Sequence, residues 1–119
     1  MVSNVKAYAE VAIAFASALV KGDFVGAHAL LTPRARHDLP PEVLCERFFE
    51  MFRGYTDGEA DSVFYDEQFA LDDWPAKQPG DAGWAYVSIN GENFIEGVAV
   101  TVSASEGSLL IREVEWGRP

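Results

Sequence analysis

Apolar residues recur every three or four positions in the first half of the chain, whereas in the second half they alternate or form short blocks. The sequence therefore predicts helices followed by strands. Val5, Tyr8, Ala9, Ala12, Phe15, Ala16 and Leu19 make one stripe, which places a helix from about Ser3 to Lys21, closed by Gly22. Asp23 then offers its carboxylate to the free amides of a second, short helix whose inward face is Phe24, Ala27, Leu30 and Leu31. Thr32-Pro33 repeats the pattern of a cap followed by proline and starts a brief helical turn through Arg36 or His37. Pro40-Pro41-Glu42 breaks that turn and launches a third helix, with Val43, Leu44, Phe48, Met51 and Phe52 buried and Gly54 at its end.

After Gly58 the pattern becomes β-rich. Ser62 to Ala70 reads as a strand interrupted by polar residues, and Asp72 to Gly83, which carries Pro75, Pro79 and Gly80, reads as a loop. Trp84 to Ile89 and Glu92 to Ser103 flank Asn90-Gly91, the signature of a two-residue type I′ hairpin turn. A further turn at Ser105-Glu106-Gly107 leads into a last strand, Ser108 to Trp116. On the long strand Phe94, Val98, Val100 and Val102 share one face and Ile95, Ala99 and Thr101 the other, with Gly97 as a bulge or bend. The expected fold class is α+β: three N-terminal helices packed on a curved antiparallel sheet, in one domain spanning residues 1–119.

Composition narrows the partners. A chain of 119 residues buries about two-thirds of its surface on folding, enough for a real core. Nineteen acidic residues against nine basic ones give a net charge of −10, which excludes generic nucleic-acid binding and disfavours anionic membranes. The apolar run Val11 to Val20 is too short to span a bilayer and reads as part of the first helix. Cys45 is the one cysteine, so no internal disulfide forms and a cytoplasmic location is expected. No cofactor or metal is expected, because His28, His37 and Cys45 have no ligand spacing. Asp57-Gly58-Glu59-Ala60-Asp61 opens like a calcium loop but has Ser62 at the sixth position and Gln68 at the twelfth.

The charge is local. Asp57, Glu59, Asp61, Asp66, Glu67, Asp72, Asp73 and Asp81 stand against the single base Lys77, interleaved with Tyr55, Phe64, Tyr65, Phe69 and Trp74. Carboxylates for steering and rings for anchoring suit a surface for a basic protein, with Tyr65, Trp74, Trp84, Tyr86, Asp66, Asp72 and Asp73 as its contacts. The competing reading is a solvated edge strand with its rings turned inward.

Phe15 and Leu19, Gly22-Asp23-Phe24 with Ala27 and Leu30-Leu31, the Val43 to Phe52 helix and the terminal hairpins through Ile111 to Trp116 together resemble the NTF2-like superfamily. The resemblance implies a cone-shaped fold with an internal pocket between sheet and helices, and homodimerisation through the outer sheet face. The superfamily hosts isomerases, dehydratases and hydrolases as well as non-catalytic binding proteins. A catalytic member of this kind would use Tyr8 as hydrogen-bond donor, Asp38 beside His37 as base, and Glu96 from the sheet. Glu96 shares the parity of Phe94 and Val98, so it faces the pocket unless a bulge at Gly97 turns it outward, the orientation favoured here. No constellation in the sequence demands catalysis. The preferred reading is a non-catalytic binding module for a small apolar ligand in the cone or a basic protein on the acidic face, and the alternative is the enzyme.

Overall fold

The computed structural model describes residues 5–52, 60–91, 95–105 and 107–117. Four helices, α1 (Ala7–Val20), α2 (Phe24–Ala29), α3 (Pro33–Asp38) and α4 (Pro41–Met51), precede five strands, β1 (Ala60–Phe64), β2 (Ala70–Leu71), β3 (Asp81–Gly91), β4 (Ile95–Ser105) and β5 (Ser108–Trp116). The sheet is antiparallel and open, with order β1-β3-β4-β5 and β2 beside β1 on the same edge of β3. No helix among the described residues is long and apolar enough to cross a membrane.

The helix-forming stripe does what its spacing dictates. Tyr8, Ala9, Ala12, Phe15, Ala16 and Leu19 are buried, and the three alanines let α1 lie close against β3 and β4. Gly22 adopts φ 77°, which lets its N–H bond to the Leu19 carbonyl and that of Asp23 to the Ala18 carbonyl, so two otherwise open helix carbonyls are satisfied. The Asp23 carboxylate accepts the Gly26 N–H at 2.9 Å and starts α2. Asp23→Ala is expected to lower stability by about 1 kcal/mol, or roughly 3–5 °C in Tm, while Asp23→Asn stays near wild type in the same melt. The brief turn after Thr32 is a six-residue helix, α3, capped by the Thr32 hydroxyl on the Ala35 N–H. Backbone bonds from Thr32 to Ile111 and from Ile111 to Leu30 strap this corner onto β5.

The inner face of the sheet is closed by side chains. Phe15, Leu19, Leu31, Leu44, Val87, Ile89, Val98, Val100, Val102 and Ile111 are all fully buried and form one core between the helices and the sheet. On α4 Leu44 and Phe48 are buried, Val43, Met51 and Phe52 are half-buried, and Phe49 is exposed. The first helix starts at Ala7 and not near Ser3, because Lys6 is extended, and α4 ends at Met51, ahead of the expected Gly54; Ser3, Gly54 and Phe94 themselves lie outside the described residues.

The β3–β4 connection departs from the expected two-residue turn. Asn90 pairs with Ile95, and Gly91 pairs with Ala60 of β1, so Asn90 and Gly91 are strand residues and not the turn. The two registers differ by an even step, so both keep Ala85, Val87 and Ile89 on the face of Val98 and Val100. Alternation cannot separate them. The observed one sets the Tyr86 ring directly over Gly97, where a side chain would collide with it. That lack of a Cβ, and not a bulge, is what Gly97 contributes, because the β3–β4 register runs unbroken from Asn90 to Gly83. Register shifts occur instead at Ala82 and at Arg112, and on β1 at Asp61 opposite the end of β3.

Candidate functional site

Three of the carboxylates in the acidic segment hold the fold together. Asp81 begins β3, and its side chain, 1% exposed, accepts both Arg112 Nε at 2.6 Å and Arg112 Nη2 at 2.7 Å. The Arg112 guanidinium holds the Asp81 carboxyl below its ordinary range, against the opposing pull of burial, and the Gln78 N–H at 2.9 Å assists. Asp72, which is exposed, accepts the Lys6 ammonium on both oxygens at 2.8 Å and the Tyr8 hydroxyl at 2.8 Å. These partners lower the Asp72 carboxyl, Lys6 ahead of Tyr8. Burial, and then the bond to Asp72, pushes the Tyr8 phenol up to about 12. Asp66 caps the single helical turn Glu67–Phe69 through the Gln68 N–H. Asp57 and Glu59, like Tyr55, lie outside the described residues, and Asp61, Glu67 and Asp73 are exposed.

The aromatic residues divide in the same way. Tyr86 is buried, with Phe69 edge-on at 5.8 Å and Gly97 beneath it, so the structure gives it a packing role in place of the surface contact expected. Tyr65 is half-buried and lines an open groove of about 390 Å³ with Val5 and Phe64. Its hydroxyl is buried with no hydrogen-bond partner among the described residues, and burial raises its pKa.

Trp74 and Trp84 are both half-buried, and they come together on the outer face. Trp84 pairs across β4 with Thr101, which pairs with Glu113, and Tyr86 likewise leads through Ala99 to Glu115. Trp74, Trp84, Thr101, Arg112, Glu113 and Glu115 line a cleft of about 220 Å³. The Trp84 indole N–H donates to Glu115 Oε2 at 3.0 Å, and Arg112 Nη1 approaches Glu113 Oε2 at 3.3 Å. The Lys77 ammonium, bonded to the Asp72 carbonyl at 2.7 Å, stands 5.9 Å from the centre of the Trp74 ring. Sequence reasoning missed Arg112, Glu113 and Glu115, although the alternation of Glu113, Val114, Glu115 and Trp116 placed both glutamates on the face opposite the core.

The residues of the enzyme reading are not assembled. The Tyr8 ring covers Gly83 and its hydroxyl donates to Asp72. Glu96 pairs with Ile89 and lines a second cavity, of about 300 Å³, with Arg47, Glu50, Met51 and Trp116. It therefore lies on the inner side and is not turned outward, since no bulge intervenes. Gly83, under Tyr8, and Ile89, opposite Glu96, are six residues apart on β3, a strand separation of roughly 20 Å at ~3.3 Å per residue. Asp38 and His37 are exposed at the end of α3. His28 Nε2 pairs with the Arg36 carbonyl at 3.0 Å, Cys45 is half-buried, and no group of three His, Cys, Asp or Glu residues is placed to hold a metal ion among the described residues.

Comparison with protein-family models, curated proteins and solved structures finds no match for this chain.

Proposed function

We propose that this chain is a non-catalytic binding module of NTF2-like architecture whose outer sheet face receives a basic protein. One observation carries this reading: two half-buried tryptophans and two outward glutamates converge on one concave patch of a rigid sheet. A net charge of −10 supplies steering toward a cationic partner, and Glu67 and Asp73 are exposed. The inner-side cavity is lined by Arg47, Glu50 and Glu96 as well as Met51 and Trp116, which argues against a small apolar ligand there. The placement of Tyr8 and Glu96 at distant positions of β3 and the exposure of Asp38 argue against the enzyme built on them. Helices followed by an antiparallel sheet, with register shifts at Ala82 and Arg112 of the kind that bend strands, are compatible with NTF2-like architecture.

The test is capture of a basic protein by the immobilised chain at low and at high salt. Capture is expected only at low salt, and replacing Asp61, Glu67 and Asp73 by lysine should abolish it. Capture that survives high salt or charge reversal would refute the reading. Phe64 and Ile95, 56% and 57% exposed toward the other end of this face, favour a second use of it, pairing of two copies. Light scattering at twice 13.1 kDa would report that.

A further inference from the structure

Resting on that reading of the outer face, we infer that the cleft between Trp74 and Trp84 holds the guanidinium of an arginine side chain contributed by the basic partner. Size sets the first limit. At about 220 Å³ the cleft lies below the usual range for drug-sized ligands and suits one side chain.

Charge sets the second. Arg112, the cation in the cleft wall, is committed to Asp81 by two short bonds, and the two charges cancel. Beyond that pair stand the carboxylates of Glu113, whose Oε2 takes the longer 3.3 Å bond from Arg112 Nη1, and of Glu115. Glu115 is oriented by the Trp84 indole N–H on one oxygen. A carboxylate has about four acceptor positions, so that bond leaves room for further donors, and a guanidinium presents its N–H groups in the fork that fits them.

The rings set the third limit. Lys77 already stands within cation–π range of Trp74, which marks this part of the surface as one where a cation is stable against an indole. A flat guanidinium stacks on tryptophan faces while its edge reaches the carboxylates, and a compact ammonium cannot do both. Buried Thr101, on a central strand, gives the cleft a rigid floor.

The experiment follows the three indole N–H resonances of the ¹⁵N-labelled full chain during titration with N-acetyl-arginine amide. The expected result is saturable movement of the Trp74 and Trp84 signals, with Trp116, which packs against Phe15 on the inner side, unmoved. The neutral isostere N-acetyl-citrulline amide should bind at least tenfold more weakly. Glu115→Gln should weaken the arginine amide about tenfold while leaving the rest of the spectrum intact, as expected for loss of one charge-assisted hydrogen bond. Equal responses to arginine and citrulline amides, or movement of none of the signals, would overturn the inference. If salt-sensitive capture of a basic protein persists in Glu115→Gln while the indoles ignore arginine amide, the inference fails and the acidic-face reading stands. If capture is salt-independent while the arginine amide still titrates, the acidic-face reading fails and the cleft chemistry stands.

Discussion

Arg112→Ala is expected to destabilise the protein by about 3 kcal/mol, measured by denaturant unfolding at neutral pH. Arg112 is the extra residue of a bulge in β5, and its guanidinium lies 24% exposed over a carboxylate that is 1% exposed. Removing the cation leaves the Asp81 charge buried with the Gln78 N–H as its remaining bond, which is why the loss exceeds that of an ordinary surface pair. The exposed Lys6–Asp72 pair is screened by water, and Lys6→Met should change stability far less.

The pH dependence follows from the same pair. The folded-state pKa of Asp81 is lowered, by Arg112 first, so its contribution is fully present above the unfolded value of 3.8 and disappears as pH falls through the folded value. The wild type should therefore lose stability below about pH 4. In Arg112→Ala the carboxyl is buried without its cation, and burial favours its protonated form. The gap between variant and wild type should narrow in acid, and a gap that stays constant from pH 7 to about pH 3 would contradict this account of Asp81.

Gly83→Ala is expected to cost about 2–3 kcal/mol in the same measurement. A Cβ at Gly83 would fall inside the Tyr8 ring, and Tyr8 cannot swing aside without giving up its 2.8 Å bond to Asp72. In a Tyr8→Ala background the space is open, so Gly83→Ala should cost much less there. A double-mutant cycle that returns additive losses would show that the ring can move away freely.

Much of the helical half was legible because its determinants are local. The Gly22 terminator, the Asp23 and Thr32 caps and the α1 stripe from Tyr8 to Leu19 depend on residues a few positions apart and are found where the sequence places them, while Val5 falls before the helix. The β3–β4 turn was misjudged because the Asn90–Ile95 register and an Asn-Gly turn leave the same side chains on the same face. What decides between them is β1 pairing out to Gly91 and the Tyr86 ring needing Gly97, both contacts between distant positions. The acidic segment looked like a uniform surface for the same reason. Asp81 meets Arg112 31 positions away and Asp72 meets Lys6 66 positions away, and no local pattern marks those two acids as structural. Trp74 and Trp84 were legible as candidates, but the carboxylates beside Trp84 come from β5, outside the segment where the charge is densest.

The central claim, that the outer face is a charge-steered surface with its anchor at the Trp84 cleft, is tested most directly by one affinity series. A short arginine-bearing basic peptide is titrated into the wild type and into Glu113→Gln/Glu115→Gln, from about 0.01 M to about 0.15 M salt, over which the screening length falls from ~30 to ~8 Å. Wild-type affinity should drop at least tenfold across the series, and the double variant should bind weakly throughout. Affinity that is indifferent to salt and equal in the two proteins would contradict the claim.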